Sequence, residues 1–388
     1  MNMEMSDAMS DERDALKVFS ANKIGELLIK NRFVRSATYE GMASEDGNVT
    51  DKLVELYKNL AKGGTGLIIT GYMYVQQIGK GAPYMTGIDR DDFIPGLKRI
   101  KDTVQKYGNG CKVAVQLVHC GRQTSLVETP LAPSAVFEPV INKMPREMTI
   151  EEIEETIEAF AEAARRAKEA RFDAVQLHGA HGYLLSEFLS PYTNRRADEY
   201  GGNTKNRMKI VEDIYNRTIE KVGKDFPILI KINVSDFLEG GIDLTESKKI
   251  AEKLSNLGIA AIETSGGMFE TRRYNKNLTA SRTEIRSKDK EAYFLRYARE
   301  IKKVINIPLI LVGGIRSLDV IEKILAEGSA DFISLSRPLI REPDLPNKWL
   351  KKIDKSTADC ISCNACYKSL MNGGVRCIQK ERTETISQ

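Results

Sequence analysis

The 388-residue chain has only one tryptophan and three histidines, and its net charge is only +4, from 58 basic and 54 acidic residues. It has no basic block interleaved with aromatic residues, which argues against nucleic-acid binding. No apolar run is long enough to span a bilayer. Residues 1–14 lack the positive and apolar regions of a secretory signal. The sequence therefore predicts a cytoplasmic protein whose partners include neither a membrane nor a nucleic acid.

Short apolar runs alternate with helical patterns along the chain. Eight runs are typical of buried parallel strands, and they cover residues 33–38, 66–70, 111–118, 173–177, 227–233, 260–264, 308–312 and 331–335. A helical segment trails each of them, as a (β/α)8 TIM barrel requires. A doubly wound sheet is the main alternative. It is expected to carry a G-x-G-x-x-G fingerprint after an early strand, and the sequence has none. We predict the α/β class and a TIM barrel.

The predicted barrel occupies most of the chain. Residues 1–17 are polar and indicate a flexible N-terminal tail, residues 18–350 form the barrel, and residues 351–388 form a short C-terminal extension that contains cysteines. The best-defined helix begins after Thr149, where Thr149-Ile-Glu-Glu152 fits a capping box. Its predicted apolar face consists of Ile150, Ile153, Ile157, Phe160, Ala164 and Ala167.

Two of the three histidines lie in His178-Gly-Ala-His181-Gly-Tyr183, directly behind the predicted strand 173–177. In a barrel, residues just past the carboxyl ends of the strands converge on one face. Imidazoles donate hydrogen bonds near neutral pH, and tyrosine is a much weaker acid. These side chains can therefore hold an oxygen atom and deliver a proton. The alternative is a strand-to-helix turn whose histidines satisfy nearby backbone groups.

Other polar or glycine residues follow the predicted strands at the same face. Gly313-Gly314, a helix that begins near Ser317, and the charge of Arg337 suit a phosphate group. Two ordinary tight turns are the alternative. Gln116 can offer both a donor and an acceptor to a heterocycle, and Lys231 can stabilise negative charge on it. A phosphorylated cofactor is therefore expected.

Four of the six cysteines crowd into the spacing Cys360-x2-Cys363-x2-Cys366-x10-Cys377. The other two are separate, with Cys111 in a predicted strand and Cys120 in a loop. In a large cytosolic chain such a cluster is more often metal-binding than disulfide-bonded. Four thiolates can ligate an iron–sulfur cluster or a structural zinc ion.

At these residues the chain resembles the Old Yellow Enzyme family of FMN-dependent NAD(P)H oxidoreductases. The resemblance spans about residues 18–345, and the long run from His178 to Gly202 is its most specific part. The matching segments are Lys30-Asn-Arg-Phe-Val34, Gln116-Leu-Val-His-Cys-Gly-Arg122, His178-Gly-Ala-His-Gly-Tyr-Leu184, Phe188-Leu-Ser-Pro191, Asn194-Arg-Arg-Ala-Asp-Glu-Tyr-Gly-Gly202, Val312-Gly-Gly314 and Ser336-Arg-Pro338.

The resemblance implies FMN across the barrel mouth and NAD(P)H as the reductant. His178 and His181 would hydrogen-bond the carbonyl oxygen of an α,β-unsaturated substrate, such as an enone, enoate or enoyl thioester. Hydride would pass from flavin N5 to the β-carbon, and Tyr183 would protonate the α-carbon. The implied FMN-binding residues are Ser36, Ala37, Thr38, Tyr39, Gly71, Gln116, Lys231, Gly313, Gly314, Ser336 and Arg337, with the last four at the phosphate.

Two features depart from the family pattern. Tyr39 stands where relatives usually carry threonine or cysteine, so a bulky phenol is expected to change the flavin potential or to narrow the pocket. The cysteine spacing resembles the iron–sulfur segment of the larger, 2,4-dienoyl-CoA reductase-like and trimethylamine dehydrogenase-like relatives, but one interval is a residue shorter. A [4Fe–4S] cluster at Cys360, Cys363, Cys366 and Cys377, a zinc ion and a thiol-rich tail without metal all stay open.

Three other functions stay open. The first is an iron–sulfur electron-transfer or amine-dehydrogenase-like flavoprotein. The second is a barrel hydrolase with a metal at His119, His178 and His181. It is disfavoured because no carboxylate stands at a suitable strand end to complete the metal site. The third is a flavin-binding protein without turnover. The loops at residues 123–146 and 268–289 are expected to set the substrate, while the choice between NADH and NADPH and a possible homo-oligomer are not readable from the sequence.

Overall fold

The computed structural model of the chain describes residues 16–351 and 356–386. Residues 1–15 of the predicted tail, and residues 352–355 and 387–388 of the predicted extension, lie outside the described part. The strands are β1 Asn22–Ile24, β2 Leu27–Ile29, β3 Phe33–Arg35, β4 Leu67–Ile69, β5 Met73–Tyr74, β6 Lys112–Val118, β7 Leu131–Ala132, β8 Arg146–Glu147, β9 Ala174–Gly179, β10 Ile228–Asn233, β11 Ala261–Ser265, β12 Leu309–Leu311 and β13 Phe332–Leu335.

Helices follow the barrel strands or lie in the loops beyond them. Their bounds are α1 Asp51–Lys62, α2 Ile94–Tyr107, α3 Ile150–Glu169, α4 Leu184–Leu189, α5 Thr204–Val222, α6 Leu244–Leu257, α7 Thr271–Tyr274, α8 Leu295–Lys302, α9 Leu318–Ala326, α10 Arg337–Arg341, α11 Leu345–Leu350, α12 Cys366–Ser369 and α13 Ile378–Ile386. None of the helices in the described ranges is long and apolar enough to cross a bilayer.

The parallel strands close into the predicted (β/α)8 barrel. In the described residues they pair in the order β3, β4, β6, β9, β10, β11, β12, β13, and β13 returns to β3. The hairpin of β1 and β2 covers the amino-terminal end of the barrel, because Ile24 and Ile29 pack onto the lowest layer of inward-facing side chains. The carboxyl ends of the strands are left to form the opposite face.

Alternation along the strands separates the barrel interior from the shell. In β9, Val175 and Leu177 join the cluster that packs against the helices, whereas Ala174 belongs to the inner cluster. Gln176 and His178 continue the inward-facing series of Ala174 toward the carboxyl end. The interior is therefore apolar at its base and polar at the mouth.

The predicted capping box and apolar face of α3 are confirmed. The Thr149 side chain accepts from the Glu152 amide, and the Glu152 carboxylate accepts from the Thr149 amide. Five of the six predicted face residues are buried, and Ile150 is partly buried against the same core.

Several predicted element bounds were wrong by a few residues. The first strand ends at Arg35 rather than at residue 38, because the Ser36 carbonyl accepts from the side chains of Arg35 and Thr38 instead of continuing the ladder. Cys111 precedes β6 rather than lying in it. Helix α8 begins only at Leu295, since Ala292 has a φ of 51° that an α-helix cannot contain.

The described part of the extension packs over the barrel mouth. The Leu318 amide donates to the Ser356 carbonyl at 2.8 Å, next to the loop that follows β12. Further on, the Val375 amide donates to the Glu40 carbonyl at 2.7 Å, beyond β3. The cysteine-containing segment therefore spans the side of the mouth where the last and first barrel strands meet.

Candidate active site

His178, His181 and Tyr183 come together at the carboxyl end of β9. The His178 ring lies 5.0 Å from the His181 ring and 4.8 Å from the Tyr183 ring, measured between centroids. Gly182 and His181 both have positive φ, 78° and 66°, so the chain turns sharply and returns Tyr183 toward His178. The strand end and this turn therefore place two imidazoles and one phenol on one small surface.

Hydrogen bonds orient the two imidazoles. Nδ1 of His178 accepts from the Ala180 amide at 3.4 Å, which leaves the proton of the neutral ring on Nε2. Nε2 of His181 lies 2.7 Å from the Ser265 hydroxyl, and the His181 amide donates to Oδ1 of Asn233 at 3.0 Å. His178 can therefore donate its Nε2–H toward the mouth. His181 can donate its Nδ1–H when the Ser265 hydroxyl donates to its Nε2.

Burial keeps these groups uncharged. Burial, with Lys231 as a smaller cause, lowers the pKa of His181 to about 3, and burial also holds the pKa of His178 well below its usual range. The same desolvation raises the pKa of Tyr183. At neutral pH the site thus offers two neutral imidazoles and a protonated phenol.

Tyr72 is part of the site, although no sequence pattern pointed to it. Its hydroxyl is hydrogen-bonded to that of Tyr183 at 3.3 Å. Its ring stacks on Tyr39, with centroids 5.5 Å apart and planes 13° apart. Burial and the neighbouring Glu40 raise the pKa of Tyr39 to about 12. Tyr39 therefore packs on Tyr72, which in turn packs on Tyr183.

The predicted ring-binding residues Gln116, Lys231 and Ser36 belong to one buried network. Nε2 of Gln116 donates to Oε1 of Gln176 at 2.7 Å, and Nε2 of Gln176 donates to Oε2 of Glu263 at 2.9 Å. Nζ of Lys231 lies 3.2 Å from Glu263 and donates to the Ser36 hydroxyl at 3.0 Å. Glu263 therefore neutralises Lys231 and fixes the height of its ammonium group in the barrel.

Gln176 and Glu263 could have been found from the sequence. Both are polar residues in largely apolar strands. Gln176 lies two residues before His178, and Glu263 lies two residues before Ser265, so each faces the same, inward side of its strand. A charged side chain buried inside a barrel strand needs a partner. Lys231 on the adjacent strand, paired in register with Glu263, is that partner.

The first loop and the last strand meet at the mouth. The Thr38 hydroxyl lies 2.7 Å from the Ser336 hydroxyl, and Ala37 packs on the inner cluster. The Gly71 amide donates to Oε1 of Glu40 at 2.7 Å, and a Cβ at Gly71 would lie 1.8 Å from that carboxylate. Glycine is therefore required where the second barrel loop crosses the first.

The predicted phosphate cradle is present in part. Gly313 and Gly314 have φ of 139° and 72°, and a Cβ on Gly314 would lie 2.7 Å from the Tyr293 ring. The helix start near Ser317 does not contribute amides, because those of Arg316 and Ser317 donate to Oε2 of Glu291 at 2.8 and 3.0 Å. The expectation that this helix terminus binds phosphate was wrong, since a carboxylate of the chain already occupies it.

Arg337 lies between the glycines and the cysteine segment. Its Nη1 donates to the Arg282 carbonyl at 2.7 Å and to Oδ1 of Asn364 at 2.6 Å. Arg337, Arg341 and the four clustered cysteines line one pocket, and Nη1 of Arg341 lies 3.7 Å from Sγ of Cys377. Burial raises the pKa of Cys366 to about 11, although Arg337 acts against this shift.

The four cysteines are free thiols, and as placed they do not form a ligand set. No group of three or more histidine, cysteine or acidic side chains in the described ranges is arranged to hold a metal ion. His119 belongs to no such group in the described ranges. Its Nδ1 accepts from the Gly121 amide at 3.1 Å, and burial lowers its pKa to about 4. The sequence spacing brought the thiols to one pocket but not into one coordination sphere.

The residues at the mouth fit a flavin mononucleotide. Oε1 of Gln116 is buried without a hydrogen-bond partner, so it can accept from a ring N–H. Lys231 lies in the same buried network, and the glycine pair follows β12 at a point where a side chain on Gly314 would clash with the Tyr293 ring. These features match a planar heterocycle carrying N–H and C=O groups and a phosphate tail.

The loops over the mouth are fixed by a buried ion cluster. Nη2 of Arg122 donates to Oε1 of Glu270 at 2.5 Å, and its Nε lies 3.5 Å from Glu187. The side chains of Arg122, Glu187 and Glu270 are all fully buried. This cluster joins the loop after β6, helix α4 and the start of the loop at residues 268–289.

Comparison with known proteins agrees with this architecture. The chain is 41% identical to the NADH oxidase of Thermoanaerobacter brockii over 352 residues, which cover 89% of this chain and 52% of that protein. The solved complex of 2-naphthoyl-CoA reductase with 2-naphthoyl-CoA is similar at a TM-score of 0.86 and 28% identity, covering 94% of this chain and 56% of that one. The chain thus spans about half the length of these two relatives.

A shorter relative matches over nearly its whole length. The Old Yellow Enzyme homologue from Zymomonas mobilis has a TM-score of 0.73 and 28% identity, covering 88% of this chain and 94% of its own. The sequence profile described as the NADH:flavin oxidoreductase / NADH oxidase family matches residues 17–356. The chain therefore belongs to the NADH:flavin oxidoreductase / NADH oxidase family, as its resemblance to Old Yellow Enzymes predicted.

Proposed function

We propose that the chain is an FMN-dependent NAD(P)H oxidoreductase that reduces the C=C bond of α,β-unsaturated carbonyl compounds. The observation that carries this proposal is the pair of neutral imidazoles beside a protonated tyrosine at the barrel mouth. Family membership supports flavin and nicotinamide cofactors. Similarity to 2-naphthoyl-CoA reductase supports thioesters among the carbonyl substrates.

The imidazoles act on the carbonyl oxygen. Two N–H donors from His178 and His181 hold this oxygen and draw electron density from the β-carbon. Because both rings are neutral and their partners fix them, the donors are aimed before charge develops, as in an oxyanion hole. Ser265 and Asn233 orient His181, and the Ala180 amide orients His178.

Tyr183 supplies the proton. Its phenol remains protonated at neutral pH because burial raises its pKa. The hydrogen bond to Tyr72 holds the hydroxyl, and the His178 ring packs against the phenol ring. The proton goes to the α-carbon, on which negative charge forms when the β-carbon accepts a hydride.

The remaining mouth residues would hold the cofactor. Bound FMN would supply the hydride chemistry, with electrons from NAD(P)H. Gln116 and Lys231 would contact its ring, and Gly313 and Gly314 would contact its phosphate. Ser36, Ala37, Thr38, Tyr39 and Gly71 would line the ring, and Ser336 and Arg337 the phosphate side.

We also propose that Cys360, Cys363, Cys366 and Cys377 bind a metal centre, a [4Fe–4S] cluster by resemblance or a zinc ion. The support is that all four thiols line one pocket with Arg337 and Arg341, whose positive charges stabilise thiolates, although the described thiols are not arranged as one ligand set. Iron and sulfide analysis of protein purified without oxygen tests this directly. One equivalent of zinc would favour the zinc ion over the [4Fe–4S] cluster. The absence of both iron and zinc would contradict the proposal.

Substitution of the histidines tests the main proposal. His178→Ala or His181→Ala is expected to retain flavin and to lower kcat for 2-cyclohexenone reduction by about 10²–10³-fold, the usual cost of one oxyanion donor. His178→Asn, which keeps an N–H donor, is the matched control and is expected to recover part of the rate. Either alanine variant with the parent's kcat would contradict the assigned role.

A further inference from the structure

A guanidinium without an acidic partner lies in the loop over the mouth. The Cζ atom of Arg282 lies 4.4 Å from the ring centroid of Tyr293, 5.5 Å from that of Phe294 and 5.7 Å from that of Phe237. Its Nε is buried and has no hydrogen-bond partner. Among the described residues, no carboxylate forms an ion pair with this side chain. The rings therefore fix the guanidinium in place but do not neutralise it.

Arg282 lies on the same aromatic ring as the glycine pair. A Cβ at Gly314 would meet the Tyr293 ring at 2.7 Å, and the Tyr293 amide donates to the Gly313 carbonyl at 3.1 Å. Arg282 and Gly314 thus both contact Tyr293 at the carboxyl end of β12. The positive charge of Arg282 is therefore brought next to the glycine pair.

The neighbouring groups that could serve an anion are already engaged. The amides of Arg316 and Ser317 donate to Glu291. Nη1 of Arg337 is directed to the Arg282 carbonyl and to Asn364 in the extension. Arg316 also has a buried Nε without an acceptor, but its Nη1 and Nη2 donate to the Ile285 and Ala358 carbonyls, whereas the Arg282 guanidinium donates to none of the described residues.

We propose that Arg282 is the counter-ion of a phosphate group bound at the barrel mouth. A guanidinium matches phosphate oxygens with paired N–H donors, and aromatic packing on its face leaves its edge for the anion. The proposal rests on the proposed flavin and nicotinamide chemistry for its ligand. The phosphate belongs either to the flavin mononucleotide or to the nicotinamide dinucleotide, and the two sources are separable.

Flavin release from the full-length holoprotein tests the proposal. Parent and Arg282→Met proteins are each loaded with FMN or with riboflavin, which has the same ring without the phosphate, and flavin fluorescence is followed after dilution. If the ligand is the flavin phosphate, Arg282→Met is expected to release FMN about tenfold faster, the effect of one charge-assisted contact, with no change for riboflavin. If it is the dinucleotide, FMN release is unchanged and KM for NADPH or NADH rises about tenfold.

Arg296→Met is the matched control, because Arg296 also stacks on a tyrosine, Tyr297, at 4.4 Å but is exposed. It is expected to match the parent in every measurement. If Arg282→Met does not fold, Arg282→Lys keeps the charge without the paired donors and must still release FMN faster, or raise KM, relative to the parent. Equal acceleration for FMN and riboflavin, or no change in release and KM, would overturn the proposal. No enone is used, so the release result stands even if ene-reduction fails.

Discussion

At the scale of single residues, burial decides the chemistry of the site. An imidazole in water changes charge near pH 6.5, but His119, His178 and His181 all lie where the charged form loses its hydration. A neutral ring is the better fixed donor here, because it needs no counter-ion and can keep its tautomer through one backbone or hydroxyl contact. The same burial keeps the proton on Tyr183.

This burial predicts an unusual titration of the histidines. Since desolvation lowers each folded-state pKa, all three rings stay neutral as pH falls through about 6.5, and kcat/KM shows no loss from their protonation between about pH 8 and 6. Long-range 15N NMR of the imidazoles in untagged protein measures this, and with three histidines the spectrum is simple to assign. A ring that titrates with a midpoint near 6.5 would contradict the geometry given for that ring.

Some site residues could be predicted individually, and others could not. His178, His181, Tyr183 and the glycine pair follow strand ends, where parallel strands converge. Tyr72 and Arg282 belong to loops, and their positions depend on how distant segments pack, Tyr72 on Tyr39 and Arg282 on Phe237. No local pattern records such contacts.

At the scale of elements, the strands and helices were predicted within a few residues because burial on both faces leaves apolar runs and capping leaves local signals. The errors lie where side chains compete with the backbone. The Ser36 carbonyl leaves the ladder for the side chains of Arg35 and Thr38, and the amide at the Ser317 helix start donates to Glu291. Both are contacts between polar groups that periodicity does not encode.

The cluster of Arg122, Glu187 and Glu270 joins three of these elements and is expected to be costly to break. Arg122→Met leaves two buried carboxylates without their cation, so we expect the free energy of unfolding to fall by about 3–5 kcal/mol. Urea denaturation of parent and variant measures it.

Lys98→Met is the control for this change, because it breaks an exposed pair with Asp102 whose side chains are 43% and 47% accessible. Its loss is expected to cost about 0.5 kcal/mol or less. An Arg122 variant as stable as the Lys98 variant would show that the buried cluster does not hold the loops together.

At the scale of the whole molecule, the barrel brings its chemistry to one mouth and the extension covers part of it. The described extension contacts the loops after β3 and β12, and its Asn364 accepts a hydrogen bond from Arg337, which we propose lies on the phosphate side. The cysteine spacing predicted a cluster of thiols, and its short intervals keep the four at one pocket. It could not predict their distances within that pocket, which depend on the packing of residues far along the chain.

The central claim is that the protein moves electrons from NAD(P)H to an enone through a site in which Tyr183 gives the proton. Anaerobic stopped-flow absorbance of the two half-reactions, in the parent and in Tyr183→Phe, tests it most directly. We expect NAD(P)H to reduce the flavin at the same rate in both proteins and 2-cyclohexenone to reoxidise the parent, and we expect reoxidation of Tyr183→Phe to be slower by about 10²–10⁴-fold. A parent protein that NAD(P)H reduces but 2-cyclohexenone leaves reduced, or a variant reoxidised as fast as the parent, would contradict it.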